Sequence, residues 1–70
     1  MKTAYLVKVN YNMRDIHAAY TLDEALGLAM PDKEDVVHYC TCQLADVDDI
    51  AVALIYARRF SPTWVLLPNT

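Results

Sequence analysis

Residues 50–57 read Ile-Ala-Val-Ala-Leu-Ile-Tyr-Ala, an uninterrupted apolar and aromatic run. The acidic run Asp46–Asp49 precedes it and Arg58-Arg59 follow it, so each end carries the charge that a helix dipole favours there. The pattern predicts a helix that Ser61-Pro62 stop. A helix that is apolar all round needs a second contact surface beyond its own sheet. We expect the helix either to support a homodimer through Val52, Ile55, Tyr56 and Phe60 or to be fully enclosed.

The segments around this helix have the composition of strands. Val36–Leu44 is dominated by β-branched and aromatic residues, and Thr63–Leu67 reads as a final strand before a proline. Apolar residues alternate from Tyr5 to Tyr11 and again from Ile16 to Tyr20, with turn residues between the two segments. The first two strands are therefore predicted to form a hairpin.

A first helix is predicted between the hairpin and the third strand. Thr21 and Glu24 have the spacing of a capping box, and Pro31 prevents continuation beyond Met30. The element order is β-β-α-β-α-β in a single domain, residues 1–70. We expect an α+β fold with two layers, in which both helices cover one face of a mainly antiparallel, four-stranded sheet.

Composition limits the possible functions. The chain has 70 residues, of which 56% are hydrophobic, and its formal net charge is -3. A net negative charge disfavours direct binding of nucleic acid and fits a basic protein partner, although it is also ordinary for a cytoplasmic protein. Lys8 interrupts the amino-terminal apolar run before it could form a signal peptide, and the apolar helix is shorter than the ~20 residues that span a membrane. We expect a cytoplasmic location.

One strand carries residues that could bind a metal. His38, Cys40 and Cys42 share a face of the third strand, and His17 on a neighbouring strand could complete a zinc site. Against this, side chains two apart on a strand lie roughly 6.6 Å from each other and stay parallel, and free cysteine is commonly a core residue. No glycine-rich turn accompanies His38 and Cys40 as an oxyanion hole would require. We expect no metal, no cofactor and no enzymatic activity.

Acidic and aromatic side chains are the candidate contacts for a protein partner. The acidic residues flank the third strand at its two ends, where the alternative is a solvated loop and a helix cap. Tyr and Trp are favoured interface anchors because they bury a large area with few rotatable bonds. The predicted partner-binding residues are Asp32, Glu34, Asp35, Asp46, Asp48, Asp49, Tyr11 and Trp64.

Two segments support a resemblance to a known group. Met1–Lys8, followed by Thr21–Ala25, resembles the opening of small phage-encoded anti-CRISPR proteins, which begin with a similar strand and capped helix. The resemblance implies an acidic globule that docks on a basic surface of a CRISPR effector and blocks DNA binding or nuclease recruitment. It implies a location in the host cytoplasm. The shared positions belong to the scaffold, so no binding residue is carried over.

Two functions therefore remain open. The first is a non-enzymatic inhibitor that sterically blocks a host nucleic-acid-handling complex through acidic and aromatic residues. The alternative is a small cytoplasmic accessory domain that binds a ligand or metal around His17, His38, Cys40 and Cys42 and acts as a homodimer.

Overall fold

A computed structural model describes residues 1–68. The strands are β1 (Lys2–Val9), β2 (Ile16–Ala19), β3 (Val37–Leu44) and β4 (Val65–Leu66), and the helices are α1 (Leu22–Ala29) and α2 (Ile50–Arg59). One sheet contains the strands in the order β2-β1-β3-β4, and each neighbouring pair is antiparallel. The predicted element order and α+β class are confirmed. Of the helices in the described part, neither is long and apolar enough to cross a membrane.

The helices lie on opposite faces of the sheet, so the expectation of two layers with both helices on one face is wrong. Side chains alternate along β1: Leu6 packs with Ala53 and Ala57 of α2, whereas Val7 packs with Ala25 of α1. Apolar residues on both faces of a strand require cover on both sides. The sheet is therefore the middle of three layers.

Small helix residues allow both helices to approach the sheet closely. Ala25, Ala53 and Ala57 are buried, and each meets larger side chains of the strands. Leu6 and Leu44 are among the largest fully buried side chains, and both lie on the α2 side. Because each core is thin, the protein has little spare apolar burial, as expected for a domain of this size.

The connection from β1 to β2 is residues 10–15, and it begins with a tight turn that lies nearer to the amino terminus than predicted. Asn10 and Tyr11 have φ values of 53° and 60°, and the Asn12 N–H donates to the Val9 carbonyl at 3.0 Å. Two successive left-handed residues closed by this bond are typical of a type I′ turn, and a second bond, from the Asp15 N–H to the Asn12 carbonyl at 3.0 Å, follows before β2. Tyr11, predicted to lie on a strand, is therefore a turn residue.

Side chains at both predicted amino-terminal caps bind the first turns of the helices. The Glu24 N–H donates to Thr21 Oγ1 at 3.1 Å, and the Ala51 N–H donates to Asp49 Oδ1 at 3.0 Å. These bonds satisfy backbone donors that a helix leaves free. At its other end, α1 is followed by Met30 with a φ of 50°.

The last strand is shorter than predicted and leaves Trp64 outside it. β4 contains only Val65–Leu66, which pair with Tyr39 and His38, instead of the predicted Thr63–Leu67. The pairing occupies the first part of β3 alone. Within the described residues, no strand pairs with the outer side of β3 beyond Tyr39.

Candidate protein-binding site

One end of the sheet gathers the hairpin turn and the loop that leads into β3. Val9 at the end of β1 pairs with Val37 at the start of β3, so the two connections are neighbours. α1 also finishes here, because residues 31–36 link it directly to β3. We call this surface the Tyr11 end and define it by Tyr11, Met30, Asp32, Glu34 and Asp35.

Asn10 holds the two connections of the Tyr11 end together. Its backbone N–H donates to the Val36 carbonyl at 2.7 Å, and its side-chain oxygen accepts from the Val36 N–H at 2.8 Å. Its Nδ2 donates to Asp35 Oδ1 at 2.9 Å, while Asp35 Oδ2 accepts from the Asp32 N–H at 2.8 Å. Loops fixed by such bonds lose little further freedom when a partner binds.

These bonds also favour the ionised form of Asp35. The hydrogen bond from the Asn10 side chain, followed by that from the Asp32 backbone, lowers the pKa of Asp35. Donors that bind a carboxylate favour its ionised form. Asp35 therefore contributes a negative charge in a fixed position, next to the exposed Asp32 and Glu34.

Tyr11 is a bulky residue in a backbone conformation that suits glycine. Its φ of 60° lies in the left-handed region, which costs a residue with a Cβ roughly 1–2 kcal/mol. The side chain is 68% exposed, so burial in the core offsets little of this cost. Its ring lies 5.1 Å from that of His38, in a tilted arrangement that orients it. A strained, exposed aromatic residue is an indicator of a binding role.

Met30 repeats this combination on the neighbouring connection. Its φ is 50° and its side chain is 79% exposed, although the position favours glycine. It precedes Pro31, which further restricts its backbone. Two apolar side chains are thus presented to solvent from left-handed positions at the same end of the sheet.

Trp64 lies beneath the Tyr11 end and is not part of its exposed surface. Its ring is half-buried against the core beneath α2, and Lys8 Nζ lies 4.3 Å from the ring centroid. Lys8 pairs with His38 across β1 and β3, and His38 in turn contacts Tyr11. Trp64 is therefore linked to Tyr11 through Lys8 and His38.

The second acidic group lies at the opposite end of β3 and makes structural contacts. Asp46 Oδ1 lies 3.0 Å from the amino group of Met1. The Ala45 N–H donates to Asp48 Oδ2 at 3.3 Å, and Asp49 caps α2. Because β3 separates them, Asp46, Asp48 and Asp49 do not share a surface with Asp32, Glu34 and Asp35.

The four candidate metal ligands do not converge. His17 pairs with Val7 and lies on the α1 side of the sheet, whereas His38, Cys40 and Cys42 lie on the α2 side. His17 Nε2 instead contacts Asp15 Oδ1 at 2.7 Å. Among residues 1–68, no group of three His, Cys, Asp or Glu side chains is placed to hold a metal ion.

Both thiols are held in the protonated form at neutral pH. Burial, followed by the proximity of Cys42, raises the pKa of Cys40 to about 11, although Lys8 opposes this. Burial and Asp48 also raise the pKa of Cys42. Because the thiolate is the nucleophile and the metal ligand, neither cysteine is activated for that chemistry.

The predicted oligomer surface on α2 is largely exposed. Ile55, Tyr56 and Phe60 are exposed, while Val52 is half-buried against the core. The rings of Tyr56 and Phe60 lie 5.6 Å apart. They border an apolar groove of about 240 Å³ between α2 and β3.

Sequence reasoning identified Tyr11 and its acidic neighbours by residue type but missed Asn10 and Met30. The Asn10 side chain bonds to residues far along the chain, and the left-handed conformation of Met30 gives no periodic signal.

Comparison of the chain with known protein families, curated proteins and solved structures finds no match.

Proposed function

We propose that the protein is a non-enzymatic inhibitor that docks its Tyr11 end on a basic surface of another protein. The observation that carries this proposal is Tyr11, an exposed tyrosine in a left-handed turn position. A glycine there would relieve the backbone cost, so the ring has a use that stability does not provide.

The composition of the surface favours this kind of partner. Tyr11 and Met30 supply apolar contact area, and tyrosine is among the residues that most often dominate interface energies. Asp32 and Glu34 are exposed beside them, and Asp35 is ionised. Carboxylates around an aromatic anchor are complementary to Lys and Arg on a partner and accelerate association.

The finer proposal is an anti-CRISPR-type protein that occludes a subunit of a CRISPR effector in the host cytoplasm. It rests on the resemblance of Met1–Lys8 and Thr21–Ala25 to that group and on the acidic Tyr11 end. An inhibitor of this type acts by occupying a site for nucleic acid or nuclease. The raised thiol pKa values and the separation of His17 from His38 favour this steric role over catalysis.

The proposal is tested with the substitution Tyr11→Gly. Partners captured from a bacterial lysate by the wild type are purified, and their affinity for each variant is measured by calorimetry. Loss of a central aromatic anchor commonly costs at least 2 kcal/mol, so we expect affinity to fall by roughly 30-fold or more. Asp32→Lys with Glu34→Lys should also weaken binding and reduce its dependence on salt.

The matched control is Tyr20→Ala, which removes an exposed tyrosine near Lys2 at the opposite end of β1. Tyr20 is 44% exposed and should leave affinity unchanged. Urea unfolding should show that Tyr11→Gly is at least as stable as the wild type, because glycine suits the turn. A partner that binds the wild type and Tyr11→Gly equally well would contradict the proposed surface.

The alternative, a ligand or metal domain around the histidines and cysteines, has less support. Its four residues lie on two faces of the sheet, and the thiols of Cys40 and Cys42 are protonated at neutral pH. A thermal shift screen with divalent metals addresses it, because a ligand that binds the folded state raises its stability.

A further inference from the structure

We propose that the partner contacts Leu66 as well as the Tyr11 end, and that it does so with an apolar cleft bordered by basic residues. Tyr11, His38 and Leu66 then form one contact surface, which we call the Leu66 stripe. The inference rests on the proposed function and extends its site onto the side of the sheet that carries α2. Three observations support it: the exposure of Leu66, the contacts that join it to Tyr11, and the positions of the nearby charges.

Leu66 is an exposed apolar residue at the edge of the sheet. It is 59% exposed and belongs to β4, which is only two residues long. In the described part, α1 contacts β1 and β2, and α2 contacts β1, β2 and β3, so neither helix covers β4. Edge strands commonly carry charged residues, which oppose pairing with other chains. A leucine at this position therefore points to a contact outside the chain.

His38 joins Leu66 to Tyr11. Leu66 and His38 are directly paired, so their side chains share one face of the sheet with Cβ atoms about 4.5–5.5 Å apart. The Tyr11 ring lies 5.1 Å from the same imidazole. Nδ1 of His38 is buried and makes no hydrogen bond to the described residues, so neighbouring side chains cover it. A single exposed leucine is ordinary, but one that continues an exposed aromatic residue enlarges a patch.

The size of the Tyr11 end also requires such an extension. A specific interface buries roughly 800 Å² and about 20–30 residues on each partner. The connections at the Tyr11 end are residues 10–15 and 30–36, which form a smaller set. Contact must therefore continue onto an adjoining face. The face that adjoins Tyr11 is the α2 side, because its ring lies beside His38 there.

The charges around the Leu66 stripe determine which partner fits it. Asp32 and Glu34 are exposed in the loop before β3 and border the stripe at the Tyr11 end. The cation on this face, Lys8, lies with Nζ 4.3 Å from the centroid of Trp64, which precedes β4 and is farther from the loop than Leu66.

A complementary partner therefore has Lys or Arg on the border of its cleft that meets the loop. Because Lys8 lies on the other side of the stripe, this arrangement also fixes the orientation of the partner. A second copy of the chain carries a net charge of -3 and fits the requirement less well. The structure thus favours a basic protein over a homodimer at this surface.

The experiment compares Leu66→Ala with Val65→Ala. Val65 is adjacent and 47% exposed, but it pairs with Tyr39 and lies on the opposite face of the sheet. Calorimetry with the purified partner should show that Leu66→Ala lowers affinity by at least about fivefold. Leu66→Met, which conserves volume, should restore most of the affinity. Val65→Ala should leave affinity unchanged.

Tyr11→Gly separates failure of the stripe from failure of the proposed function. If Tyr11→Gly weakens binding and Leu66→Ala does not, the Leu66 stripe is wrong and the Tyr11 end stands. If neither variant weakens binding, or the wild type captures no partner, both are overturned. Equal losses from Leu66→Ala and Val65→Ala also overturn the stripe, because β4 then acts through folding and not through contact on one face.

Hydroxyl radical footprinting of the wild-type complex examines the same surface without a substitution. Oxidation of the Leu66 side chain should fall when the partner is bound, whereas oxidation of Val65 should not change. Circular dichroism shows whether both alanine variants are folded. If either is not, the footprint decides, and an unprotected Leu66 overturns the proposal.

Discussion

Met30 allows the free-energy cost of a left-handed backbone conformation to be measured at a single exposed residue. The residue has a φ of 50° after α1 and is 79% exposed. Met30→Gly removes the steric cost of the left-handed conformation but increases the freedom of the unfolded chain. We expect the free energy of unfolding in urea to rise by about 0.5–1 kcal/mol.

Leu28→Gly is the matched control for this change, because it places the same residue inside α1. Leu28 is 58% exposed, so little packing is lost. Glycine inside a helix should lower the free energy of unfolding by about 1 kcal/mol. Equal losses from the two variants would show that Met30 does not carry backbone strain.

Asp35 gives the Tyr11 end a defined response to acid. Its pKa is lowered by Asn10 and by the Asp32 backbone, so the folded protein favours the ionised form. The resulting stability is present above the unfolded pKa of about 3.9 and is lost as the pH falls through the lower, folded value. Protonation should therefore loosen the contact between the turn and the loop only at strongly acidic pH.

A carbon-detected NMR titration of the Asp35 carboxyl group checks this response. Its midpoint should lie below about 3.9 in the wild type and should rise in Asn10→Gly, which keeps the left-handed backbone but removes the donor. A midpoint that does not move in Asn10→Gly would show that the Asn10 side chain is not the main cause.

At the scale of the element, the acidic residues before α2 differ in what they do. Asp49 accepts a hydrogen bond from the first turn, whereas Asp46 contacts the exposed amino group of Met1. Asp49→Ala should therefore cost about 1 kcal/mol of unfolding free energy, while Asp46→Ala should change it by less than about 0.5 kcal/mol. Thermal and urea unfolding of the two variants compare a cap with a surface ion pair.

Local signals of this kind made most of the elements predictable from the sequence. Thr21 and Asp49 are side-chain caps that act within a few residues, and the alternation of apolar residues defines the strands. The turn at Asn10 and Tyr11 and the short β4 were less predictable. Both depend on contacts with strands that are distant in the sequence. Of the Tyr11 end, Tyr11, Asp32, Glu34 and Asp35 were predicted from residue type, whereas Met30 was missed. Their grouping follows from the strand order, which the sequence did not predict.

At the scale of the whole molecule, the placement of the helices follows from β1. Residues 4–7 are Ala-Tyr-Leu-Val, and such a continuous apolar run is typical of a strand covered on both faces. This apolar run therefore already indicated cover on both faces of the sheet. Crossover handedness restricts α1 to one face, because α1 connects the parallel strands β2 and β3. No such rule fixes the face for α2, which connects the antiparallel neighbours β3 and β4.

Val7→Thr tests the second covered face. Val7 is fully buried on the α1 side, and a hydroxyl there lacks a polar environment. The nearly isosteric change should lower the unfolding free energy by about 1–3 kcal/mol. Val47→Thr, at a residue that is 93% exposed, should have almost no effect. Equal behaviour of the two variants would mean that α1 does not cover the sheet.

The covering of β1 on both sides has a consequence for how much change its turn can tolerate. In a sheet with one wet face, a misaligned strand is rejected because it places apolar residues in water. Both faces of β1 are apolar. If β1 shifted by one residue, its side chains would therefore still pack against apolar residues on each side. The length of the connection formed by residues 10–15, which begins with the Asn10-Tyr11 turn, must then provide the discrimination that polarity does not. Unlike most surface loops, it should refuse even a one-residue insertion.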